Sequence, residues 1–223
     1  MLNFVFADSA VELVPREIWS YPAVASDSKR RGAVAGEMLL DRSFHHSAMA
    51  RLTDSEKRGR PDLVHVALLS VTGTPLYLEG GAKVYVHTYP GLVIEVAEKT
   101  RIPKNYLRFR GVIEKCLVEG PSQGLLRLHR MSFSELVKMV GAQRVFGLTV
   151  RGRKVGIAEF AGEVVSSKNP CVVVGGFPHG HFSHEVERTL DEQVRIGSAP
   201  LEAHVVAARV VYEVEKAVAG FND

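Results

Sequence analysis

Hydrophobic residues form short continuous runs in some segments and recur at helical spacing in others, which predicts a mixed α/β fold. The apolar run at 3–6 predicts a buried strand, and the apolar spacing across 32–52 predicts a helix. The polar and basic residues 26–31 predict a loop. A proline begins a second predicted helix, 61–71, and the Gly-Thr-Pro sequence at 73–75 ends it.

The residue patterns in the middle of the chain predict a hairpin, a helix and a further strand. Alternating residues at 82–88 and 92–96 flank the turn Tyr89-Pro90-Gly91, a pattern typical of a β-hairpin. Helical spacing follows over 106–118, and residues 125–131 alternate like a strand.

Three apolar strands in the C-terminal third each end on a glycine-bearing loop. These are residues 145–150 before Arg151-Gly152, 171–174 before Gly175-Gly176, and 194–196 before Gly197-Ser198. Continuous apolar strands predict a parallel sheet covered on both faces. Ligands bind beyond the carboxyl ends of such strands, and glycine lets the backbone approach them closely. We therefore expect a ligand site at these loops.

The final predicted helix, 200–219, is apolar almost all round between Ala203 and Val214 and ends at Gly220. A helix of this kind is buried in a core or in a subunit interface. It predicts a homodimer.

The composition is that of one globular domain: 223 residues, 46% hydrophobic and 24% charged. The longest uncharged stretch, 63–78, contains Gly73 and Pro75 and is too short for a membrane span of about 20 apolar residues. The N-terminus lacks the basic region of a signal peptide. Cys116 and Cys171 lie in apolar runs. We expect a cytoplasmic protein with buried thiols and no membrane association.

Charge is distributed unevenly along a chain whose formal net charge is only +3. Residues 99–154 carry 13 lysines and arginines against three acids, whereas 185–223 carry eight acids against four bases. This asymmetry predicts a polyanionic partner on one face, with an ordinary solvated surface as the alternative.

The densest basic stretch, 99–110, contains five cations, no acid, and the aromatic residues Tyr106 and Phe109. Cations bind phosphates, and aromatic rings stack on unpaired bases. If the helix begins near Pro103, Lys104 and Arg108 share one face.

Outside this stretch, Arg60 precedes a predicted helix N-terminus, where the helix dipole disfavours a cation. Asp62 is placed to pair with it.

Several catalytic motifs are absent or are placed in the wrong context. The sequence Gly120-Pro121-Ser122-Gln123-Gly124 matches a nucleophile elbow, but a helix precedes it and a strand follows, which favours a simple turn. The glycine loop at 175–180 is not G-x-G-x-x-G, and no G-K-[ST] occurs, which disfavours nicotinamide enzymes and P-loop NTPases. The histidines at 45, 46, 179, 181 and 184 lack zinc-site spacing, so no metal is expected.

Five segments together resemble one protein family. They are the Gly-Arg-Pro-Asp-Leu-Val-His sequence at 59–65, the hairpin strand at 84–88, the Arg-Ile-Pro-Lys-Asn-Tyr sequence at 101–106, the glycine loop at 173–180 and the Ile-Gly-Ser-Ala-Pro-Leu sequence at 196–201. In this order they resemble the small-subunit ribosomal RNA pseudouridine N1-specific methyltransferases, a ribosome-biogenesis family of the SPOUT class. The resemblance runs from about residue 40 to the end of the chain.

The resemblance implies an α/β fold with a mostly parallel SPOUT-type sheet, a C-terminal trefoil knot, and a β-hairpin and helix insertion specific to the family. It implies one domain over 1–223, with 73–131 as a β-rich, basic, RNA-facing extension, and a homodimer. The implied cofactor is S-adenosylmethionine. By position, its contacts fall on Leu148, Gly175, Gly180, Ile196, Gly197, Ser198, Ala199, Pro200 and Leu201.

The RNA contacts of the family fall on Arg60, Arg101, Lys104 and Arg108, with Asp62 holding Arg60. Lys104 stands where eukaryotic members carry arginine, so a point charge replaces a planar fork. The implied activity is N1-methylation of a pseudouridine in small-subunit ribosomal RNA, with ribosomal assembly proteins as further partners. Asp62 is the one candidate general base, although orienting Arg60 is the favoured role.

Two alternatives stay open. One is an RNA-binding assembly factor without turnover, which the intact glycine loops disfavour, and the other is a SPOUT methyltransferase acting on another RNA position.

Overall fold

The computed structural model describes residues 1–120 and 124–218. Its sheet has seven strands in the order β4-β3-β2-β1-β6-β5-β7. The strands are β1 (Leu2–Ser9), β2 (Ala82–Thr88), β3 (Val93–Val96), β4 (Leu126–His129), β5 (Arg144–Lys154), β6 (Pro170–Gly175) and β7 (Glu192–Arg195). The helices are α1 (Pro22–Arg31), α2 (Arg42–Met49), α3 (Pro61–Thr72), α4 (Pro75–Leu78), α5 (Tyr106–Glu119), α6 (Phe133–Met139), α7 (Ile157–Ser166), α8 (His184–Thr189) and α9 (Ala203–Ala217).

The predicted mostly parallel, covered α/β sheet is confirmed. Strands β1, β2, β5, β6 and β7 run parallel, and β3 pairs antiparallel with both β2 and β4. At the centre, Phe4 pairs with Val84 on β2 and with Val172 on β6. Helices α3, α5, α7 and α9 cover one face, and α6 and α8 cover the other. Helices α1 and α2 enclose a separate small core. The trefoil knot remains a prediction.

Segment 73–131 supplies α4, α5 and the strands β2 to β4, which are part of the same sheet. The hairpin, the helix after it and the next strand lie where the sequence predicted them. The two cysteines are buried, as expected.

The prediction of a loop at 26–31 and a helix over 32–52 was wrong. Residues 26–31 belong to α1, which begins at Pro22 and ends at Gly32, whose φ of +61° is left-handed. The next helix, α2, begins only at Arg42, because the Asp41 side chain accepts a hydrogen bond from the Ser43 N–H and caps it. The basic residues at the end of α1 have the composition of a solvated loop. In the structure, Arg30 and Arg31 pair with the buried Asp27, which lies one turn earlier in the same helix.

Helix α5 begins at Tyr106, as the apolar spacing predicted, because the Asn105 side chain caps it by accepting from the Arg108 N–H. The alternative start near Pro103 is wrong, so Lys104 precedes the helix and does not share a helical face with Arg108. One strand boundary near the candidate site differs from prediction. Strand β5 does not end at 150 but continues to Lys154. Leu148 and Arg153 both pair with Val194, so the residues between them bulge out of the strand.

Within this chain, helix α9 is buried on one face. Burial of its other face in a subunit interface stays a prediction. Ala207, Val210, Val211 and Val214 face the core, whereas Tyr212 is 59% exposed. The predicted helix end at Gly220 lies outside the described residues. So do Pro121, Ser122 and Gln123 of the predicted turn. No helix in the described ranges has the length and apolar character needed to cross a membrane.

Candidate functional site

A cavity of about 570 Å³ opens at the β5 bulge and at the carboxyl end of β6. Its lining combines the β5 bulge, the loop after β6, the start of α9 and the rim residue Arg60. A smaller cavity of about 70 Å³ lies beside it, between the same bulge and the loop after β7. The two share the lining residues Leu148, Thr149, Val150, Leu201 and Val206. Their position matches the rule that ligands bind beyond the carboxyl ends of parallel strands.

The structure brings almost all of the predicted cofactor residues to these two cavities. The larger one is lined by Leu148, Gly175, Gly180, Pro200 and Leu201. The smaller one is lined by Leu148, Ile196, Gly197, Ala199 and Leu201. Ser198 lines neither cavity. Cofactor binding by these residues remains a prediction.

Two glycines allow the wall of the larger cavity to pack closely. A Cβ at Gly175 would lie 2.8 Å from the ring of Phe177, which also lines the cavity. Gly180 has a φ of +98°, which side-chain-bearing residues rarely adopt, and a Cβ there would lie 2.8 Å from Cε of Lys57. A side chain at Gly175 would displace the cavity wall, and one at Gly180 would strain the backbone and displace the Lys57 side chain.

The pair Arg60–Asp62 stands at the rim of the larger cavity. Arg60 is the residue before α3, and its Nε and Nη2 donate to the two carboxylate oxygens of Asp62 at 2.9 and 2.8 Å. This hydrogen bonding to Asp62 raises the pKa of the Arg60 guanidinium. Arg60 is more than 100 positions from the glycine loops in the sequence, but in the fold it lines the same cavity as Gly175 and Gly180.

The predicted RNA residues Arg101, Lys104 and Arg108 are exposed, and the described ranges contain no ion pair to any of them. Their segment is anchored at Pro103, whose carbonyl lies 2.7 Å from Nε2 of His65 on α3. Because α3 begins beside Arg60, this anchor ties the basic stretch to the helix that carries the cavity rim.

The aromatic residues of this stretch are structural. Phe109 is fully buried and stacks on His65 with ring centroids 4.3 Å apart. The Tyr106 hydroxyl donates to Oδ2 of Asp41 at 2.6 Å, and burial, followed by this hydrogen bond, raises the pKa of Tyr106. The expectation that these rings stack on bases is therefore wrong for Phe109. The tyrosine ring is only partly buried, but its hydroxyl is already bonded.

Sequence reasoning missed a buried polar cluster behind the cavity wall. Asp8, at the end of β1, accepts hydrogen bonds from the Ser183 N–H at 2.6 Å and from its hydroxyl at 3.0 Å. Nδ1 of His87 lies 3.7 Å from Asp8, and burial lowers the pKa of this histidine. The cluster fixes the end of the loop that follows β6. Its one sequence signal was an acid close to the end of the apolar run that forms β1.

The cavity wall also includes side chains outside the predicted set, among them Phe177, Phe182, Glu202 and His204. Phe177 and Phe182 pack edge to face with ring centroids 5.9 Å apart.

In the two described ranges, no cluster of three or more histidine, cysteine, aspartate or glutamate side chains is arranged to hold a metal ion.

The sequence and the fold are similar to those of known proteins. A profile of the family described as EMG1/NEP1 methyltransferase matches residues 4–215. The ribosomal RNA small subunit methyltransferase Nep1 of Pyrobaculum neutrophilum is 45% identical over 216 residues, 95% of this chain and 96% of the relative. The protein of that name from Aeropyrum pernix is 40% identical over 227 residues, 99% of this chain and 100% of the relative.

A crystal structure of Archaeoglobus fulgidus Nep1 bound to S-adenosylhomocysteine matches the fold with a TM-score of 0.86 and 35% sequence identity. The match covers 96% of this chain and 97% of that chain. The similarity therefore extends over nearly the full length of both proteins.

Proposed function

Because the chain belongs to the EMG1/NEP1 methyltransferase family, we propose that it transfers a methyl group from S-adenosylmethionine to N1 of a pseudouridine in small-subunit ribosomal RNA. The observation that carries the proposal is the pair of adjoining cavities at the glycine loops, with Arg60 on their rim. The relatives are named small-subunit ribosomal RNA methyltransferases, and the similar crystal structure contains S-adenosylhomocysteine.

The cavities suit the cofactor in size and lining. A volume of about 570 Å³ is within the range of small-molecule sites, roughly 300–1,000 Å³. Leu148, Ile196 and Leu201 supply apolar surface, and the glycine loops bring main-chain groups to the ligand. Such loops recognise the edges of an adenine through backbone N–H and C=O groups.

RNA would approach over the rim that carries Arg60. Its guanidinium is held by Asp62, so it keeps one orientation toward a phosphate. The exposed cations Arg101, Lys104 and Arg108 extend the positive surface along the segment anchored to α3. Phosphate contacts of this kind would position the RNA while one base turns into the cavity.

In the proposed reaction, N1 of pseudouridine attacks the methyl carbon in line. An N–C bond forms, the C–S bond breaks, S-adenosylhomocysteine leaves, and the N1 proton passes to water. Both oxygens of Asp62 are engaged by Arg60, which supports an orienting role for this carboxylate. Catalysis then depends chiefly on the alignment of the two substrates.

A matched pair of RNA hairpins that differ only in pseudouridine against uridine tests this proposal. We expect single-turnover methylation of the pseudouridine hairpin alone, with the product identified by mass spectrometry as the N1-methylated nucleoside. Binding of cofactor and RNA without turnover would favour the assembly-factor alternative. Methylation of another atom or nucleotide would favour a different SPOUT specificity.

The basic residues give a second prediction. Arg101→Ala and Arg108→Ala should each weaken RNA binding and lower the slope of log affinity against log salt by about one unit for each phosphate that the variant no longer binds. Affinity for S-adenosylhomocysteine should not change. Titrations at several salt concentrations measure both effects. Wild-type RNA binding in both variants would show that the stretch is only a solvated surface.

Asp62→Ala separates the orienting role from a general-base role. Loss of orientation should weaken RNA binding to the level of Arg60→Ala, because the guanidinium loses its fixed direction. A general base would leave RNA affinity intact and abolish turnover. RNA titration together with single-turnover methylation distinguishes these results.

We also propose that the protein is a homodimer that uses the exposed face of α9. Tyr212 on α9 and Val66 on the adjacent α3 are 59% and 45% exposed. Large apolar side chains left exposed on neighbouring helices are typical of an interface. Tyr212→Asp should give a folded monomer in sedimentation experiments, because Tyr212 lies outside the core. Val210→Asp, whose side chain is fully buried, is the contrasting variant and should unfold the chain. A monomeric wild-type protein would contradict the proposal.

A further inference from the structure

Lys57 reaches from the N-terminal half of the chain to the wall of the larger cavity. It ends a short 3-10 turn, Ser55–Lys57, and its Nζ donates to the backbone carbonyl of His181 at 2.5 Å. The ammonium also lies 5.2 Å from the ring centroid of Phe177. Its aliphatic stem passes beside Gly180, where a Cβ would lie only 2.8 Å from Cε of the lysine. One side chain therefore contacts the loop at three points.

Besides Lys57, the loop is held by the packing of Phe177 and Phe182 against each other and against the core. Residues 177–182 all line the larger cavity, and they connect β6 to α8 without regular secondary structure. In the part of the chain that the structure describes, the bond from Lys57 is the one hydrogen bond that this six-residue segment makes within the protein. Its ends are fixed separately, by Gly176 hydrogen-bonded to Ala7 and Ala10, and by Ser183 hydrogen-bonded to Asp8.

We propose that Lys57 is a positioning residue that holds segment 177–182 in the conformation that binds the cofactor. The inference rests on the proposed function, since it assumes that the cavity takes S-adenosylmethionine. A charge-assisted hydrogen bond and a cation over an aromatic face both restrict the loop before any ligand arrives. Preorganisation of this kind raises affinity because less loop ordering opposes binding.

Lys57→Met tests the role of the ammonium, because methionine keeps an apolar stem of similar length. We expect the KM for S-adenosylmethionine and the Kd for S-adenosylhomocysteine to rise about tenfold. We expect kcat at saturating cofactor to stay within about twofold, since the reacting atoms are untouched. The matched control is Lys168→Met. Lys168 is exposed and lies at the opposite end of β6, so this variant should behave like the wild type.

Chemical rescue separates the ammonium from mere packing. Lys57→Cys treated with 2-bromoethylamine regains a lysine-length side chain with a terminal ammonium, and the native Cys116 and Cys171 are buried and protected. This adduct should recover the S-adenosylhomocysteine affinity, whereas a neutral propyl adduct should not. Wild-type affinity in Lys57→Met, or equal recovery with the propyl adduct, would overturn the proposal.

A ligand-free measurement keeps this test independent of the proposed function. Chymotrypsin should cleave after Phe182 faster in Lys57→Met than in the wild type under native conditions, because the loop has lost its tether. If the wild-type protein failed to bind S-adenosylhomocysteine, the proposed function would fail while this comparison still tested the tether. Equal cleavage rates in the two proteins would overturn the positioning role.

Discussion

Gly197→Val is expected to abolish S-adenosylhomocysteine binding while the protein remains folded. A Cβ at this position would lie 3.4 Å from the Ala199 carbonyl oxygen and 3.4 Å from Cδ1 of Leu201, which are ordinary contacts. Gly197 lines the smaller cavity together with these two residues. The added methyl groups would therefore enter the space of about 70 Å³ and exclude a ligand from it.

Calorimetry should show a loss of affinity of about a hundredfold or more, which corresponds to roughly 3 kcal/mol. Thermal unfolding should stay close to that of the wild type. Gly175→Val is the informative contrast, because its Cβ would meet the Phe177 ring at 2.8 Å and should disturb the wall as well as the binding. Wild-type affinity in both variants would show that the cofactor does not bind at this site.

Gly152→Ala is expected to cause a large loss of stability for the addition of a single methyl group. Its Cβ would lie 2.4 Å from the backbone nitrogen of Val194 and 2.5 Å from the backbone carbon of Gln193. Because these are backbone atoms of β7, no side-chain rotation can relieve the overlap. Overpacking of this kind costs about 1–3 kcal/mol and sometimes more, and an unyielding backbone belongs at the upper end.

The same substitution in open surroundings supplies the control. Gly162 lies inside α7 with nothing within 4 Å of an added Cβ. Gly162→Ala should therefore stabilise the protein by about 0.5–1 kcal/mol through helix propensity. Urea unfolding of both variants measures the difference. A stability of Gly152→Ala equal to that of the wild type would show that β5 does not pass β7 this closely in solution.

Local signals in the sequence were enough for much of the fold. Pro61 and Gly73 bound α3, Tyr89-Pro90-Gly91 joins the hairpin, and apolar runs predicted the parallel strands β1, β5, β6 and β7. Each of these depends on backbone preferences or burial within a few residues. The main helix error arose where a side chain decided the boundary, because the Asp41 cap makes α2 begin at Arg42, well after the predicted start at residue 32.

Part of the candidate site was likewise predictable from local sequence signals, and part of it depended on the tertiary structure. The residues of the glycine loops were predictable, because they follow apolar strands and match a family pattern. The placement of Arg60 in the cavity wall was not, because it depends on the tertiary fold, which brings the start of α3 to the same cavity as the loop after β6. The tether from Lys57 to His181 and the bond from Ser183 to Asp8 join residues more than 100 positions apart. Contacts between such distant segments carry no local pattern in the sequence, and only the packed sheet brings them within hydrogen-bonding distance.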